Sequence, residues 1–450
     1  MRTRRFLFAW LPLLLLLSIT VPGAAPAGAR RAPGTGPPGV KELWLAIRQA
    51  LPPVAWTIDR DEIVPSATDP RQKLRRIELK FYSQEIDGRK WAHPSVIFMP
   101  ADRRLLEVPA RRGKVVVVGQ RSIDSLITGS WRESFLGNYG EPIAARTGYP
   151  TMILPVPGEY DETPGREIPV GPVDERAART KQPTDHAYFR LAIPYLRALD
   201  VLASILHEPK IHAVIGGHSK RATSAITAAA MDPERVAGVV FMGNETTYGG
   251  LEEGWLRVLS PFYTDKRAEV LYIGATNEDG YRMFNVSRVQ AQMNPPWTIE
   301  YIPNYRHADQ SEQHFLDWQM WVAHVFDGRP LTRISDLAYT ETDHGTLFRA
   351  RIESPNALLK VQAWTVFCDD VPYWRDLMWY PEFMTSKGGG VYEAYVPGKL
   401  PDAWLVEVKD IARGIAGYVS SLPQDITGMP TATRTSRGSR SRLWEPIKKD

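Results

Sequence analysis

Residues 211–222 read Ile-His-Ala-Val-Ile-Gly-Gly-His-Ser-Lys-Arg-Ala. The apolar run, closed by two glycines, is typical of a short buried parallel strand, and the alanine-rich sequence from Ala222 to Met231 favours a helix. Ser219 therefore falls in a Gly-x-Ser turn between a strand and a helix, the kind that lifts a serine hydroxyl above a sheet. Arg221 occupies the place of the usual second glycine. A serine that only caps the helix is the alternative interpretation.

Two later strand-like runs are each followed by a residue that could activate this serine. The run at 270–274 precedes Glu278 and Asp279, and the run at 297–303 leads to His307. An imidazole takes the proton of an attacking serine, and a carboxylate fixes the tautomer of that imidazole. The chain order serine, acid, histidine is the order found in α/β-hydrolases. The sequence predicts catalytic Ser219, Asp279 and His307, with Glu278 as the alternative acid; solvated loop charges are the alternative interpretation.

Backbone N–H groups near the serine are candidates for an oxyanion hole. The Lys-Val-Val-Val-Val-Gly run at 114–119 predicts a buried strand, and the loop after it would face the serine turn. We expect one donor from Lys220, the residue after the nucleophile, and a second from Gln120 or Arg121.

The side chains that flank Ser219 allow two interpretations. His218 is predicted as a wall of the pocket rather than as the base. The cations of Lys220 and Arg221 would either orient an acidic group of the substrate and support an oxyanion, or belong to the helix, with Arg221 paired to a structural carboxylate. The residues leave both interpretations open.

Strands and helices alternate through the first 330 residues. Further strands are predicted at 149–155 and 236–242, helices at 135–147 and 186–206, and a loop rich in proline, glycine and charge at 157–184. This alternation predicts a mostly parallel sheet that is covered on both faces. Together with the serine turn, it predicts an α/β-hydrolase fold.

Beyond residue 333 the hydrophobic period changes to two. Four alternating runs separated by Gly, Pro and Asp turns predict a small antiparallel, sandwich-like domain. The runs lie at 347–352, 359–364, 391–396 and 404–408. Four tryptophans of this region could form a platform for sugar rings, but packing in the core is the favoured interpretation. They are Trp364, Trp374, Trp379 and Trp404.

The N-terminus has the three parts of an export signal. A basic stretch at 2–5, an apolar run at 6–21 and small residues after it predict a cleaved signal peptide and a periplasmic or extracellular protein. An uncleaved membrane anchor is the alternative; no other segment predicts a membrane span. The predicted organisation is a signal peptide at 1–29, a linker at 30–44, an α/β-hydrolase domain at 45–332, a β-rich domain at 333–430 and a basic disordered tail at 431–450.

Composition narrows the possible cofactors and partners. Cys368 is the only cysteine, which excludes an intramolecular disulfide and a cysteine-based metal cluster. Histidines and carboxylates show no metal-ligand spacing, so we expect neither a metal nor an organic cofactor. The formal net charge is +4 in 450 residues, and no motif indicates nucleic-acid binding. The expected partner is a small-molecule or acylated substrate, and the residues do not predict an oligomeric state.

The chain resembles the PhoPQ-activated pathogenicity-related family, a branch of the α/β-hydrolases. The Gly-His-Ser-Lys-Arg sequence at 217–221 is similar to that family's Gly-x-Ser-Lys-Arg-Gly signature, with Ala222 in place of its last glycine. In an alternative alignment Asn277 takes the position of the family's aspartate. The resemblance implies an exported serine hydrolase without a named substrate. Further similarity lies at 83–84, 91–94, 196–200 and 303–307, within 75–425.

These features favour an exported serine hydrolase, in which an ester is a better substrate than an amide. Ser219 would attack, His307 would act as base and then as acid, and the acid would orient the histidine. Two other classes remain open: a catalytically silent binding or signalling protein with a hydrolase fold, and a carbohydrate-associated deacylase whose tryptophan-rich domain binds sugar.

Overall fold

The strand that ends at His218 lies inside the largest sheet of the protein. The computed structural model describes residues 39–120, 135–243, 268–278, 297–369 and 374–427. The predicted signal peptide, most of the linker and the basic tail lie outside these residues. The strands of the main sheet are β1 Trp56–Pro65, β2 Lys73–Ile86, β3 Arg89–Pro100, β4 Lys114–Gln120, β5 Thr151–Pro155, β6 Glu159–Tyr160, β7 Thr163–Glu167, β8 His212–His218, β9 Val236–Met242, β10 Glu269–Ala275 and β11 Thr298–Ile302.

The strand order of this sheet is β1-β2-β3-β5-β4-β8-β9-β10-β11, with the short β6 and β7 beside β3. Strands β1, β2, β3 and β5 pair antiparallel, whereas all pairs from β5 through β4 to β11 are parallel. An antiparallel edge, two exchanged strands and a parallel remainder make this an α/β-hydrolase sheet, as the sequence predicts.

Helices cover both faces of the sheet. They are α1 Val40–Ala50, α2 Arg104–Glu107, α3 Glu141–Thr147, α4 Gly171–Thr180, α5 Ala187–Leu206, α6 Lys220–Met231 and α7 Glu312–Asp327, with a π-helical turn at Leu136–Gly140 and 3-10 turns at Pro183–Asp185 and Trp374–Asp376. Alternate valines of β4 face opposite sides: Val115 and Val117 pack with α1, α5 and α6, while Val116 and Val118 pack with α3 and α7. Among the described residues no helix is both long and apolar enough to cross a lipid bilayer.

The segment 157–184 contains more structure than the predicted loop. It holds the β6–β7 hairpin and α4. Strand β7 includes Pro164 and Gly165, which hide a strand pattern. Helix α4 begins Gly-Pro, and a proline at the first turn fits a helix start as well as a loop.

Two smaller antiparallel sheets follow the main sheet, as the period-two runs predict. One has the order β12-β13-β17-β16, and the other has the order β15-β14-β18-β19, with β20 beside β18. Their strands are β12 Arg333–Thr342, β13 Gly345–Glu353, β14 Ala357–Val366, β15 Trp379–Phe383, β16 Thr385–Gly388, β17 Val391–Pro397, β18 Ala403–Ala412, β19 Ile415–Ser420 and β20 Gln424–Asp425. The described residues belong to one compact unit, and the domain boundary at residue 333 stays a prediction.

The described tryptophans of this region are packing residues. Trp379 and Trp404 are fully buried. Trp364 is half-buried, and its Nε1 donates to Glu407 Oε2 at 2.6 Å. These three side chains therefore form no sugar platform. The side chain of Trp374 lies outside the described part of the structure.

Three buried carboxyl groups meet where the C-terminal sheets contact the main sheet. Glu300 of β11, Asp317 of α7 and Glu407 of β18 are all inaccessible to solvent. Gln313 Nε2 donates to Glu300 at 3.3 Å and to Glu407 at 3.2 Å. Burial, reinforced by the neighbouring carboxylates, raises the pKa of Glu300 and of Asp317 well above their ordinary values. Protons held by this cluster therefore stabilise the contact between the sheets.

Replacing Glu300 with glutamine should stabilise the protein at neutral and alkaline pH. The raised pKa means that the folded chain binds more protons than the unfolded chain above pH ~4.3, so wild-type stability falls as pH rises. Glu300→Gln removes this loss, so the variant should be more stable than the wild type at pH 8 and gain little at pH 4. Urea unfolding at several pH values measures the effect, and Glu353→Gln, an exposed carboxyl change on β13, is the control. An equal effect of Glu300→Gln at both pH values would contradict the assignment.

Candidate active site

Ser219 occupies a strained turn between β8 and α6. Its backbone has φ 59° and ψ −129°, a conformation that residues with a side chain rarely adopt. The Ser219 N–H donates to the Met242 carbonyl at 2.9 Å, which ties the turn to the end of β9. The serine side chain makes no capping hydrogen bond to α6. A positive φ between a strand and a helix, without a side-chain capping bond, is the backbone geometry that the predicted nucleophile turn requires.

Gly217 lets helix α6 approach β8 closely, and Gly216 lets the neighbouring strand β9 do the same. A Cβ on Gly217 would lie 2.7 Å from the Cβ of Arg221, and a Cβ on Gly216 would lie 2.3 Å from the Val240 carbonyl oxygen. Tyr195 Oη donates to the Gly216 carbonyl at 3.1 Å and also contacts the Arg221 carbonyl. The turn therefore needs its glycines on the strand side.

Arg221 is a structural cation. Its side chain is 5% exposed, its Nε donates to the Val156 carbonyl at 2.9 Å, and its Nη2 lies 3.0 Å from Glu167 Oε1. Burial lowers the pKa of this guanidinium from its ordinary value. The second of the two interpretations offered by the sequence, pairing with a structural carboxylate, therefore describes Arg221. The Arg221 side chain extends to Val156 after β5 and to Glu167 of β7. The turn can therefore hold an arginine at the position where the usual motif has its second glycine.

Lys220 is the first residue of α6, and its side chain is 35% exposed. Its Nζ lies 3.2 Å from the same Glu167 oxygen that Arg221 contacts. Its backbone stands at the helix N-terminus, where N–H groups and the helix dipole favour negative charge. The second predicted donor is less defined: Gln120 ends β4 and pairs with Pro155 of β5, and Arg121 lies outside the described residues.

His307 and Glu278 form a close pair. His307 Nδ1 lies 2.6 Å from Glu278 Oε1, and the glutamate is buried. Glu278 follows β10 by three residues, and His307 follows β11 by five, so both leave the carboxyl edge of the parallel sheet. Asp279, the acid that the sequence favours, lies outside the described residues. The structure places Glu278, the alternative acid, against the histidine.

His218 joins this pair to the serine turn. Its ring lies 4.3 Å from the His307 ring, centroid to centroid, at an interplanar angle of 47°. Since His218 directly precedes Ser219, this contact brings His307 beside the turn. Gly243, with φ +55°, closes the other side, where a Cβ would lie 2.3 Å from His218 Nε2. His218 therefore packs between the His307 ring and Gly243.

Two asparagines fasten the loops of Glu278 and His307 to the C-terminal region. Asn277 Nδ2 donates to the carbonyls of Arg375 and Leu377 at 3.0 and 2.6 Å. Asn304 and Trp379 exchange two backbone–side-chain hydrogen bonds, of 2.8 and 2.7 Å. The Asn277 side chain thus binds the backbone of residues 375 and 377, a contact that does not correspond to the acid position of the alternative alignment. The sequence offers no signal for these contacts, because the partners are backbone groups 75–100 residues away.

Within the described ranges, no three or more His, Cys, Asp or Glu side chains are grouped so that they could hold a metal ion.

No protein-family model matches the chain, and no curated protein matches it. Solved structures that are similar include acetyl xylan esterase 1 from Thermoanaerobacterium sp. JW/SL YS485, with 13% identity over 64% of this chain and 93% of that chain and a TM-score of 0.39. A glucuronoyl esterase from Solibacter usitatus has 13% identity over 63% and 91%, with a TM-score of 0.42. Lipase A from Candida antarctica has 9% identity over 60% and 82%, with a TM-score of 0.37. At these scores the similarities add nothing about activity; the strand order and the turn define the α/β-hydrolase fold.

Backbone strain at Ser219 should be measurable without any substrate. Glycine adopts a positive φ at no steric cost, so Ser219→Gly should be more stable than Ser219→Ala by about 1 kcal/mol. Urea unfolding of the two variants gives the difference. Ala225→Gly in the middle of α6 is the control and should lose stability, because glycine is unfavourable inside a helix. A glycine at 219 that destabilises as it does at 225 would show that the turn is unstrained.

Proposed function

We propose that the protein is a serine hydrolase, a carboxylesterase that works through an acyl-enzyme formed on Ser219. The observation that carries the proposal is the 2.6 Å contact between His307 Nδ1 and Glu278 Oε1 beside the strained serine turn. A serine alone would be a poor nucleophile; a carboxylate-oriented imidazole next to it supplies the missing base.

The reaction would proceed in two halves. Because Glu278 holds Nδ1, His307 Nε2 is the atom that takes the Ser219 proton as Oγ bonds to the ester carbonyl carbon. The tetrahedral intermediate then breaks its C–O bond to the alcohol, which leaves with the proton from Nε2. In the second half water attacks the acyl-enzyme, gives its proton to Nε2, and the acid departs as Ser219 regains that proton.

The negative oxygen of each intermediate would lie at the N-terminus of α6. The backbone N–H of Lys220 is the first donor that we propose, and a backbone N–H of Gln120 or Arg121 is the second. The Lys220 ammonium adds positive charge at the same place. His218 would act as a wall that holds the His307 ring.

Glu278 is the acid in this proposal, in place of the Asp279 that the sequence favoured. A glutamate reaches one methylene further than an aspartate, and its carboxylate is shielded from water, which strengthens the interaction with an imidazolium. Export to the periplasm or beyond, and membership of the PhoPQ-activated pathogenicity-related family, remain predictions from the sequence. A small-molecule or acylated ester is the proposed substrate.

Labelling with a fluorophosphonate probe tests the nucleophile and separates the two acids. The wild type should label at Ser219, Ser219→Ala should not label, and His307→Ala should label at least about a thousandfold more slowly. Glu278→Gln should slow labelling about a hundredfold or more, because the imidazole loses its orienting charge. Asp279→Asn is the matched control: it also replaces a carboxylate with an amide, one residue further along the chain. This variant should label at the wild-type rate.

Two results would contradict parts of this proposal. Loss of labelling in Asp279→Asn with retention in Glu278→Gln would restore the acid that the sequence favoured. A folded wild type that does not label would favour a catalytically silent binding protein with the same fold.

A further inference from the structure

An open cavity of about 590 Å³ lies on the C-terminal sheets, formed by the ends of β14 and β17 and by β15 with the segment before it. Its walls combine aromatic rings with carboxylates and one ammonium group. The residues that define its chemistry are Thr365, Phe367, Asp376, Tyr380, Glu382 and Lys399. None of them belongs to the catalytic set proposed above.

Two aromatic rings lie side by side in this cavity, with their planes inclined to each other. The centroids of Phe367 and Tyr380 are 6.4 Å apart, and their planes meet at 52°. Tyr380 is 52% exposed, although its neighbour Trp379 on the opposite face of β15 is buried. Thr365 of β14 is the cross-strand partner of Tyr380, so both project to the same side.

The charges around the rings largely compensate one another. Lys399 forms an ion pair with Asp369, and its Nζ lies 5.2 Å from the centre of the Phe367 ring. Asp376 lies 3.7 Å from the guanidinium groups of both Arg306 and Arg375. These ion pairs leave the Glu382 carboxylate as the uncompensated charge among the described residues of the lining.

Two polar side chains of the wall still lack a partner in the described part of the chain. The Thr365 hydroxyl is buried, with the residue 1% exposed, and makes no hydrogen bond. The Glu382 carboxylate, half-buried on the same sheet, forms neither a hydrogen bond nor an ion pair with any described residue. Because the Thr365 hydroxyl is closed to solvent, Glu382 is the group of this pair that a ligand in the cavity can contact, and its carboxylate is a hydrogen-bond acceptor.

We infer that this cavity binds a neutral saccharide chain. The C–H faces of a sugar ring can pack on Phe367 and Tyr380, while its hydroxyl groups donate to Glu382 and accept from Lys399. The Glu382 carboxylate would repel an anionic ligand. A purely apolar acyl chain would remove water from the charges of Glu382 and Lys399 without replacing its hydrogen bonds. A cationic ligand would be repelled by the Lys399 ammonium, which lies over the Phe367 ring. Hydroxyl groups, which both donate and accept, match this mixture.

The cavity wall is attached to the loops of the proposed catalytic pair. Asp376 contacts Arg306, which directly precedes His307, and the Leu377 carbonyl accepts from Asn277, which directly precedes Glu278. A saccharide held there would lie on the segment that supports both loops. Resting on the proposed function, this places an acylated saccharide as the substrate class of the esterase.

Direct binding tests the cavity without requiring catalysis. Xylohexaose, cellohexaose and chitohexaose would each be titrated into Ser219→Ala protein by isothermal calorimetry. At least one of the three saccharides should bind. Tyr380→Ala should lower the affinity for that saccharide about tenfold or more. Glu382→Gln should lower the same affinity severalfold. The matched control is Tyr395→Ala, which removes another tyrosine of the C-terminal sheets, 45% exposed, that does not line the cavity; it should bind as the parent does.

The inference fails if none of the three saccharides binds, if Tyr395→Ala weakens binding as much as Tyr380→Ala, or if hexalysine binds instead. Saccharide binding by a protein whose Ser219 does not label would support the cavity and overturn the esterase. Labelling of Ser219 without saccharide binding would keep the esterase and overturn the cavity.

Discussion

The hydrogen bond from the Ser219 N–H to the Met242 carbonyl holds the conformation on which the proposed site depends. A serine at φ 59° is strained, and such strain persists only where the surroundings fix the backbone. Here β8 lies between two parallel strands, Gly217 lets α6 pack closely against it, and the Arg221 side chain binds Val156 after β5 and Glu167 of β7. The packed sheet thus supplies the free energy that keeps one hydroxyl at the helix N-terminus.

The C-terminal sheets extend this support to the other half of the site. Asn277 and Asn304 bind the backbone of residues 375–379, so the loops that carry Glu278 and His307 are each fixed by hydrogen bonds. Farther along β11 and α7, Glu300 and Asp317 are buried against β18 and β19. The same elements therefore position the histidine and carry the buried carboxyl cluster, which links the stability of the interface to the geometry of the site.

Several elements were predictable because their residues carry local patterns. The continuous valine run of β4 and the alternation of β13 and β17 match the structure closely, as does the helix from Ala187 to Leu206. The β2–β3 hairpin turns at Asp87 and Gly88, both with positive φ, a recognisable hairpin signal that the sequence analysis did not use. The β6–β7 hairpin and α4 were hidden, since their strands are short and rich in proline and glycine. For the proposed site, spacing predicted Ser219 and His307 and favoured Asp279 as the acid, with the adjacent Glu278 as the alternative.

The sequence by itself determined the fold class and the order serine, acid, histidine, because hydrophobic period and turn residues act through neighbours along the chain. Only the tertiary structure places Glu278 against His307, buries Arg221 against Glu167, and shows that Trp379 and Trp404 are core while Tyr380 is exposed. Each of these depends on which side of a strand or loop faces a partner far away in the chain. Pairing across such distances is set by how sheets pack, and no local pattern records it.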